Sequence, residues 1–154
     1  MKKIVLIALI TLGVSSQKTM AQAINIQHDT TSGLYTGDVV EVHNLITTTS
    51  SSPVLLDWSV VSHNFPTSWM DINLGICDNN LCYGSSIFIS GSTQTDTVKT
   101  DKSIDLKLIV NPGADNGTYH VVINVRDHGA TINKNIVYIV SKWATNIVNI
   151  SKSD

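Results

Sequence analysis

The sequence predicts an all-β protein built as a two-sheet sandwich of about seven strands, and three observations lead to that prediction. Beyond the first 23 residues, no stretch carries a convincing helical period. Short runs of alternating apolar and polar residues recur at regular spacing, and turn residues separate them. The acidic residues are eleven Asp and one Glu among many Thr, Ser and Asn, a composition that favours strands and turns over helices.

The N-terminus is predicted to be a secretory signal peptide, residues 1–23. Lys2 and Lys3 precede an apolar run over 4–14, which is shorter than the roughly 20 residues that a membrane-spanning helix needs. Ala21-Gln22-Ala23 has the small-x-small form of a cleavage site. The short run disfavours the alternative, an uncleaved membrane anchor.

The mature chain is expected to comprise one domain, residues 24–143, and a C-terminal tail, residues 144–154. No stretch after the signal is apolar enough to span a membrane, so no membrane insertion is expected after cleavage. Removal of the signal takes out three of the ten basic residues and leaves seven against twelve acidic ones, a net charge of about −5. A surface of that charge argues against nucleic acid or an anionic membrane as partner.

Four strands are predicted in the first half of the mature chain, over 24–28, 39–48, 54–61 and 86–90. The stretch 29–33 is predicted to be a turn. Asn44 falls on the apolar face of the second strand, so either a bulge or a local buried hydrogen bond is needed there.

Three strands are predicted in the second half, over 104–110, 119–126 and 135–141. The last of them is apolar on both faces, as expected of a more central position in a sheet. The polar stretch 91–102 has two open interpretations, a long loop or a weak edge strand around Val98.

A more specific signal lies at Asp115-Asn116-Gly117-Thr118-Tyr119. In immunoglobulin-like domains such a run precedes a strand whose Tyr hydroxyl bonds back to the preceding backbone, the tyrosine corner, and a core Cys follows two positions later. Here that position is Val121, so apolar packing replaces the inter-sheet disulfide. Trp58 occupies the place of the core Trp of strand C. The predicted fold is therefore an immunoglobulin-like two-sheet sandwich with Trp58, Tyr119 and Val121 in its core.

The two cysteines, Cys77 and Cys82, allow three interpretations: a disulfide, half of a metal site, or two separate thiols. A disulfide is favoured, because a zinc site needs a second Cys/His pair and an exported chain meets an oxidising environment. The intervening Asp78, Asn79 and Asn80 suit a tight turn. A calcium loop built from their oxygens is the sharper alternative, but it lacks the spacing and distal Glu of an EF-hand. We expect no metal and no cofactor.

The chain then resembles a known group of proteins. Asp57-Trp58, Trp69, the run Ile76-Cys77-Asp78-Asn79-Asn80-Leu81-Cys82-Tyr83 and Gly117-Thr118-Tyr119 are similar to small secreted immunoglobulin/fibronectin III-like domains of Bacteroidetes, which carry a Trp…Cys-Asp-Asn-x-x-Cys-Tyr loop after the third strand. The resemblance covers most of residues 36–142. It implies fold and export and assigns no chemistry.

Catalysis is not expected. The Gly-x-Ser-x-Gly elbow of many serine hydrolases is absent. Asp71 and Asp78 are close in sequence, as a glycosidase pair needs, but a turn and a capped loop explain them more simply. The five histidines show neither His-x-His nor His-x-x-x-His spacing, so scattered surface positions are the expectation.

The predicted function is an exported, non-catalytic binding or interaction module in the periplasm or outside the cell, with an envelope protein or a glycan as partner. Its binding surface is predicted at the end of the Cys loop, because loops on a rigid sandwich commonly carry function. The residues of this predicted surface are Phe65, Trp69, Asp71, Asp78, Asn79, Asn80 and Tyr83. An open alternative is that Trp69 and Tyr83 only cover the end of the core. Two other functions remain open. One is a structural accessory subunit that pairs through an edge strand, motivated by the doubly apolar last strand and the unassigned tail; the other is a small metal-handling protein.

Overall fold

The computed structural model describes residues 23–70, 74–129 and 132–144. The predicted signal peptide up to Gln22, Asp71 of the predicted surface, and the tail from residue 145 lie outside the described residues. The described residues form twelve strands: β1 (Ile24–Ile26), β2 (Thr30–Leu34), β3 (Val40–Val42), β4 (Leu45–Thr48), β5 (Val54–His63), β6 (Gly75–Cys77), β7 (Cys82–Tyr83), β8 (Gln94–Val98), β9 (Ile104–Asp105), β10 (Lys107–Val110), β11 (Gly117–Asp127) and β12 (Asn133–Lys142). Two short helices accompany them, α1 (Thr67–Met70) and α2 (Ser86–Ser90).

The strands form two layers. One is a five-stranded sheet in the order β2-β12-β11-β5-β8, antiparallel except for the parallel pair β2 and β12. The other consists of the sheets β1-β4-β9 and β3-β10-β6-β7. These two join, because β3 and β4 are consecutive pieces of one strand, and so are β9 and β10. The Leu106 N–H donates to the Asn44 carbonyl across the break, at 3.1 Å. The predicted β-sandwich is thus confirmed.

Side-chain alternation along the strands fills the space between the layers. Val42 and Ile46 from one layer and Val121 and Ile123 from the other are buried, as predicted from the period-two pattern. Tyr138 of β12 links the layers directly, since its hydroxyl donates to the Leu106 carbonyl at 2.6 Å. Burial raises the pKa of the Tyr138 phenol far above its ordinary value, so the group remains a donor at any physiological pH.

The break at Asn44 follows one of the two predicted solutions, a buried hydrogen bond. The Asn44 side chain is fully buried; its Nδ2 donates to the His28 carbonyl at 2.8 Å and its Oδ1 accepts the His28 N–H at 3.1 Å. The register is the same on both sides of the break, since Val42 faces Leu108 and Ile46 faces Ile104. The Asn44 side chain therefore bonds the backbone of His28 in place of a partner strand, at the point where β1 has ended and the chain crosses to β2.

The prediction of a turn over 29–33 was wrong, because this stretch contributes to strand β2. Strand β2 lies at a sheet edge and is mostly polar, so the apolar alternation that identifies strands is missing from it. Gly33 also lies where the layers approach closely: a Cβ there would stand 2.5 Å from Val40 Cγ1. The signal for this strand is its pairing with β12, which sequence periodicity does not reveal.

The prediction of a strand over 86–90 was also wrong, because these residues form helix α2. Neighbouring Ile87 and Phe88 are both buried while Ile89 is 80% exposed, a pattern that no flat strand produces. Gly91 ends the helix in the left-handed conformation, with φ of 59°, and its N–H donates to the Ile87 carbonyl. The stretch 91–102 was predicted to be either a long loop or a weak edge strand. It contains the edge strand β8, which pairs with β5 and buries Val98.

The last strand, β12, lies inside its sheet with β2 on one side and β11 on the other. This is the more central position that its two apolar faces predicted. The edges of the five-stranded sheet are instead β2 and β8.

Candidate functional site

The Cys loop is a disulfide-closed hairpin. Cys77 ends β6 and Cys82 begins β7, and their sulfurs are joined at 2.02 Å, which confirms the predicted disulfide. Within the turn, one Asp78 carboxylate oxygen accepts the backbone N–H groups of Asn80 and Leu81, both at 2.9 Å. This is the local bonding for which an Asp in a tight turn was predicted. Since both cysteines are consumed in the disulfide, the metal half-site and the separate thiols are excluded.

The second oxygen of Asp78 holds the loop to the core. It accepts the indole N–H of Trp58 at 3.0 Å in a buried contact. The Trp58 ring packs edge-to-face against Tyr83, with ring centroids 5.2 Å apart. Trp58 belongs to one layer and Tyr83 to the other, so this contact ties the Cys loop across the sandwich. A buried Trp requires a hydrogen-bond acceptor for its indole N–H. The sequence alone does not show which residue supplies that acceptor for Trp58.

Phe65 and Trp69 of the predicted surface face the core. Trp69 is fully buried, stacks on Phe65 at 5.8 Å and meets the Tyr119 ring at 4.6 Å. Its indole N–H donates to the Asp115 carbonyl at 3.2 Å. The Tyr119 hydroxyl donates to the Asn116 carbonyl at 3.0 Å, the bond that defines a tyrosine corner. The position of Trp69 thus matches the alternative in which its ring covers the end of the core.

The predicted surface is divided between the two ends of one strand, the β9–β10 strand. Trp69 binds Asp115, which follows the end of β10, whereas the Asn79 side chain contacts Ser103 and Asp105 at the start of β9. The six described members of this set therefore do not form one surface: Phe65 and Trp69 lie at one end, the Cys turn at the other, and half-buried Tyr83 between them. Asn79 and Asn80 are the members of this set that lie exposed among the described residues.

Beside these two asparagines lies a polar cavity of about 330 Å³, which we call the loop recess. Its walls come from the Cys turn, from β8 and from the turn after β8. The lining residues are Asn79, Asn80, Thr95, Asp96, Thr97, Lys99 and Lys102. The sequence prediction missed the β8 half, because the stretch 91–102 carries no periodicity that places it against the Cys turn.

The Cys turn is fixed rigidly against this second wall. The Asn79 carboxamide donates to the Ser103 carbonyl at 2.8 Å and accepts the Asp105 N–H at 3.2 Å. The Asp96 carboxylate is buried and accepts two backbone N–H groups, those of Asn79 at 3.3 Å and Thr97 at 2.6 Å. Both residues are therefore committed to holding the recess together and are not free to contact a ligand.

An apolar cavity of about 420 Å³ lies on the outer side of the disulfide. Its lining residues are Val39, Leu74, Gly75, Cys77, Cys82, Tyr83, Gly84 and Ile109. Burial raises the pKa of the Tyr83 phenol, and the neighbouring charges of Asp78 and Asp96 raise it further.

A separate polar cluster surrounds Asp57 in β5. Its carboxylate is largely buried and accepts the Thr95 hydroxyl at 2.7 Å, the Arg126 guanidinium at 3.1 Å and His128 Nε2 at 2.8 Å. Burial alone would raise the pKa of Asp57, but the bonds from Thr95, His128 and Arg126 outweigh it, so the pKa is lowered. The Asp57 carboxylate is thus held by three donors from β8, β11 and the turn after β11.

We expect Asp57 to make the folded protein less stable in acid. Because its pKa is lower in the folded than in the unfolded chain, its stabilising effect is present above the unfolded value of about 3.9 and is lost as the pH falls through the folded value. Urea unfolding of wild type and Asp57→Asn, compared at neutral pH and at successively lower pH, measures this. The stability difference between the two should shrink as the pH falls, and a difference independent of pH would contradict the prediction.

Neither a metal-binding group nor a membrane span is found in the part of the chain that the structure describes. No three His, Cys, Asp or Glu side chains of residues 23–70, 74–129 and 132–144 are grouped so as to hold a metal ion. None of the helices in these ranges is long and apolar enough to cross a bilayer.

Comparison with known proteins supports the fold alone. No protein-family model matches the chain, and no curated protein matches its sequence. The N-terminal domain of PorA superposes with a TM-score of 0.51 at 9% identity, over 77% of this chain and 95% of that domain. The seventh PapD-like domain of human CEP192 (TM-score 0.48, 9% identity, 93% of this chain and 97% of that one) and the CooA pilin subunit of enterotoxigenic Escherichia coli (0.46, 6%, 78% and 97%) superpose less well and add nothing to that conclusion.

Proposed function

We propose that the mature chain is an exported, non-catalytic binding module that contacts its partner through the loop recess. The observation that carries the proposal is how the recess is built. The disulfide, the hydrogen bonds of Asp78 within the turn and the Asn79 bond to Ser103 fix the Cys turn in place. The Asn80 side chain stays exposed at the rim. Walls that are already fixed lose little conformational entropy on binding, which favours affinity.

Export is supported by the disulfide. Structural disulfides persist in oxidising compartments, and this one closes the turn that forms the recess. The predicted signal peptide leads to the same compartment.

A non-catalytic role is supported by the use that the polar groups already have. Asp57, Asp78 and Asp96 each accept hydrogen bonds that stabilise the fold, so these three buried carboxylates already have a structural role. The partner class is a glycan or an envelope protein, since both present the hydroxyl and amide groups that a recess of Asn, Thr and Lys can bind.

The alternative of a structural subunit has less support. It was motivated by the last strand and the unassigned tail; β12 is already paired on both sides, and the tail from residue 145 lies outside the described residues. Addition of a strand would have to use β2 or β8.

We expect Asn80→Ala to weaken partner binding about fivefold or more, because its carboxamide is lost from the rim while the turn, which uses only its backbone N–H, is kept. The mature chain would be applied in solution to a glycan array, and in immobilised form it would be tested against envelope proteins. Asn111→Ala is the matched control, since Asn111 is an exposed Asn beyond the other end of β10. Equal binding by the two variants would remove the recess from the proposal, and no binding by the wild type to any glycan or envelope protein would overturn the proposed function.

A further inference from the structure

Two lysines on one side of the loop recess have no partner of opposite charge. Lys99 and Lys102 face each other across the turn that follows β8, and both line the recess. Neither forms an ion pair within residues 23–70, 74–129 and 132–144, whereas Lys107 and Lys134 pair with Glu41 and Asp29. The turn therefore places two lysine side chains beside a cavity.

Neither nearby carboxylate forms an ion pair with these lysines. Asp96 lines the recess but is buried, and its two oxygens accept the N–H groups of Asn79 and Thr97. Asp101 lies exposed in the turn between the two lysines and is bonded to neither of them in the described structure. An anion entering the recess would meet two ammonium groups that form no ion pair with any described residue, next to an Asp96 carboxylate whose oxygens already accept hydrogen bonds.

The remaining free groups are neutral and polar. The Asn80 carboxamide and the Thr97 hydroxyl make no hydrogen bond to other described residues, and both line the recess. Together with the lysines they offer donors and acceptors from four side chains in a space of about 330 Å³. That volume lies at the small end of the usual range for ligand sites, roughly 300–1,000 Å³.

We propose that the loop recess binds an anionic saccharide, with Lys99 and Lys102 holding its carboxylate or sulfate and Asn80 and Thr97 bonding adjacent hydroxyls. Ammonium–anion hydrogen bonds are stronger than neutral ones, so the anion supplies most of the affinity. The several hydroxyls of a sugar ring match the neutral groups around the lysines. This inference rests on the proposed binding function and names its ligand class.

The test measures calorimetric affinity of the mature chain for two anionic probes, an oligogalacturonate, which carries carboxylates, and a heparin-derived oligosaccharide, which carries sulfates. Methyl-esterified oligogalacturonate is the neutral comparator. We expect at least one anionic probe to bind and the ester to bind about tenfold more weakly or not at all. The affinity should fall as salt is raised, because exposed charges are screened. The probe that binds better identifies the anion.

The variant Lys99→Gln/Lys102→Gln should bind the anionic probe about tenfold more weakly than the wild type. Its matched control is Lys107→Gln/Lys134→Gln, which changes the net charge equally but breaks two surface ion pairs away from the recess, contacts worth little stability. Thermal unfolding of both variants verifies that each is folded. Equal affinity of the two double variants, or equal binding of ester and acid, would overturn the assignment.

Failure of this inference is distinguishable from failure of the proposed function. Asn80-dependent binding of a neutral glycan or an envelope protein, without binding of either anionic probe, would leave the binding module standing and reject the anionic ligand. Binding of nothing by the wild type would reject both.

Discussion

Replacing Trp69 with Ala should lower the free energy of unfolding by about 3–5 kcal/mol, the range for removing a large aromatic side chain from a core. Trp69 is fully buried between Phe65 and Tyr119, and its indole N–H holds the Asp115 carbonyl. The substitution would leave a cavity under the tyrosine corner and an unsatisfied carbonyl. Urea unfolding followed by fluorescence and circular dichroism measures the change.

Trp143→Ala is the control for this experiment, because Trp143 is 63% exposed and its loss should change stability by no more than about 0.5 kcal/mol. A similar, small effect of both substitutions would mean that Trp69 is not packed as described. The expected result also bears on binding studies: loss of partner binding in Trp69→Ala would accompany partial unfolding and would not locate a site.

Replacing Asp78 with Ala should lower the free energy of unfolding by about 2–4 kcal/mol, because three donors lose their acceptor at once. The carboxylate accepts the buried indole N–H of Trp58 and the backbone N–H groups of Asn80 and Leu81. Asp78→Asn should lower the free energy of unfolding less than Asp78→Ala does. The Asn amide keeps one acceptor oxygen, although its NH₂ group then faces either the Trp58 N–H or the backbone N–H groups of the turn.

Chemical unfolding of both Asp78 variants, with the disulfide intact, checks the order wild type, Asn, Ala. Asn80→Ala serves as the neighbouring control, because its side chain bonds none of the described residues and its stability should stay near that of the wild type. An Asp78→Ala protein as stable as Asn80→Ala would contradict the prediction, because it would show that neither the turn bonds nor the link to Trp58 stabilises the fold.

The parts of the fold that were predictable are those in which a strand lies on the core with one face. Val40, Val42 and Ile46 alternate with exposed residues, and the period-two pattern identifies both the strand and its buried side. Helix α2 was not predicted, because five residues are too few to display a helical period. Gly91, which ends the helix, is equally typical of a loop.

The same distinction applies to the candidate site. The Asp78 turn and the disulfide arise from residues adjacent in sequence, so local chemistry was sufficient to predict them. The burial of Trp69 depends on a distant loop that reaches helix α1 because Gly113 has no side chain: a Cβ there would lie 2.1 Å from the Ser68 carbonyl oxygen. Lys99 and Lys102 likewise lie beside the Cys turn because Asn79 bonds to Asp96, Ser103 and Asp105. Neither approach leaves a periodic trace in the sequence.

The parallel pair formed by β2 and β12 has a mechanical consequence. Thr30–Leu34 and Val137–Ser141 run side by side in the same direction, with further bonds from Tyr35 N–H to the Ser141 carbonyl and from Val137 N–H to the Asp29 carbonyl. A force that pulls the segment before β2 away from the segment after β12 slides these strands lengthwise. All their hydrogen bonds are then strained together, whereas a hairpin pulled from its open end gives way one bond at a time. A domain closed in this way would resist stretching along the chain, as a tether between two moving surfaces must.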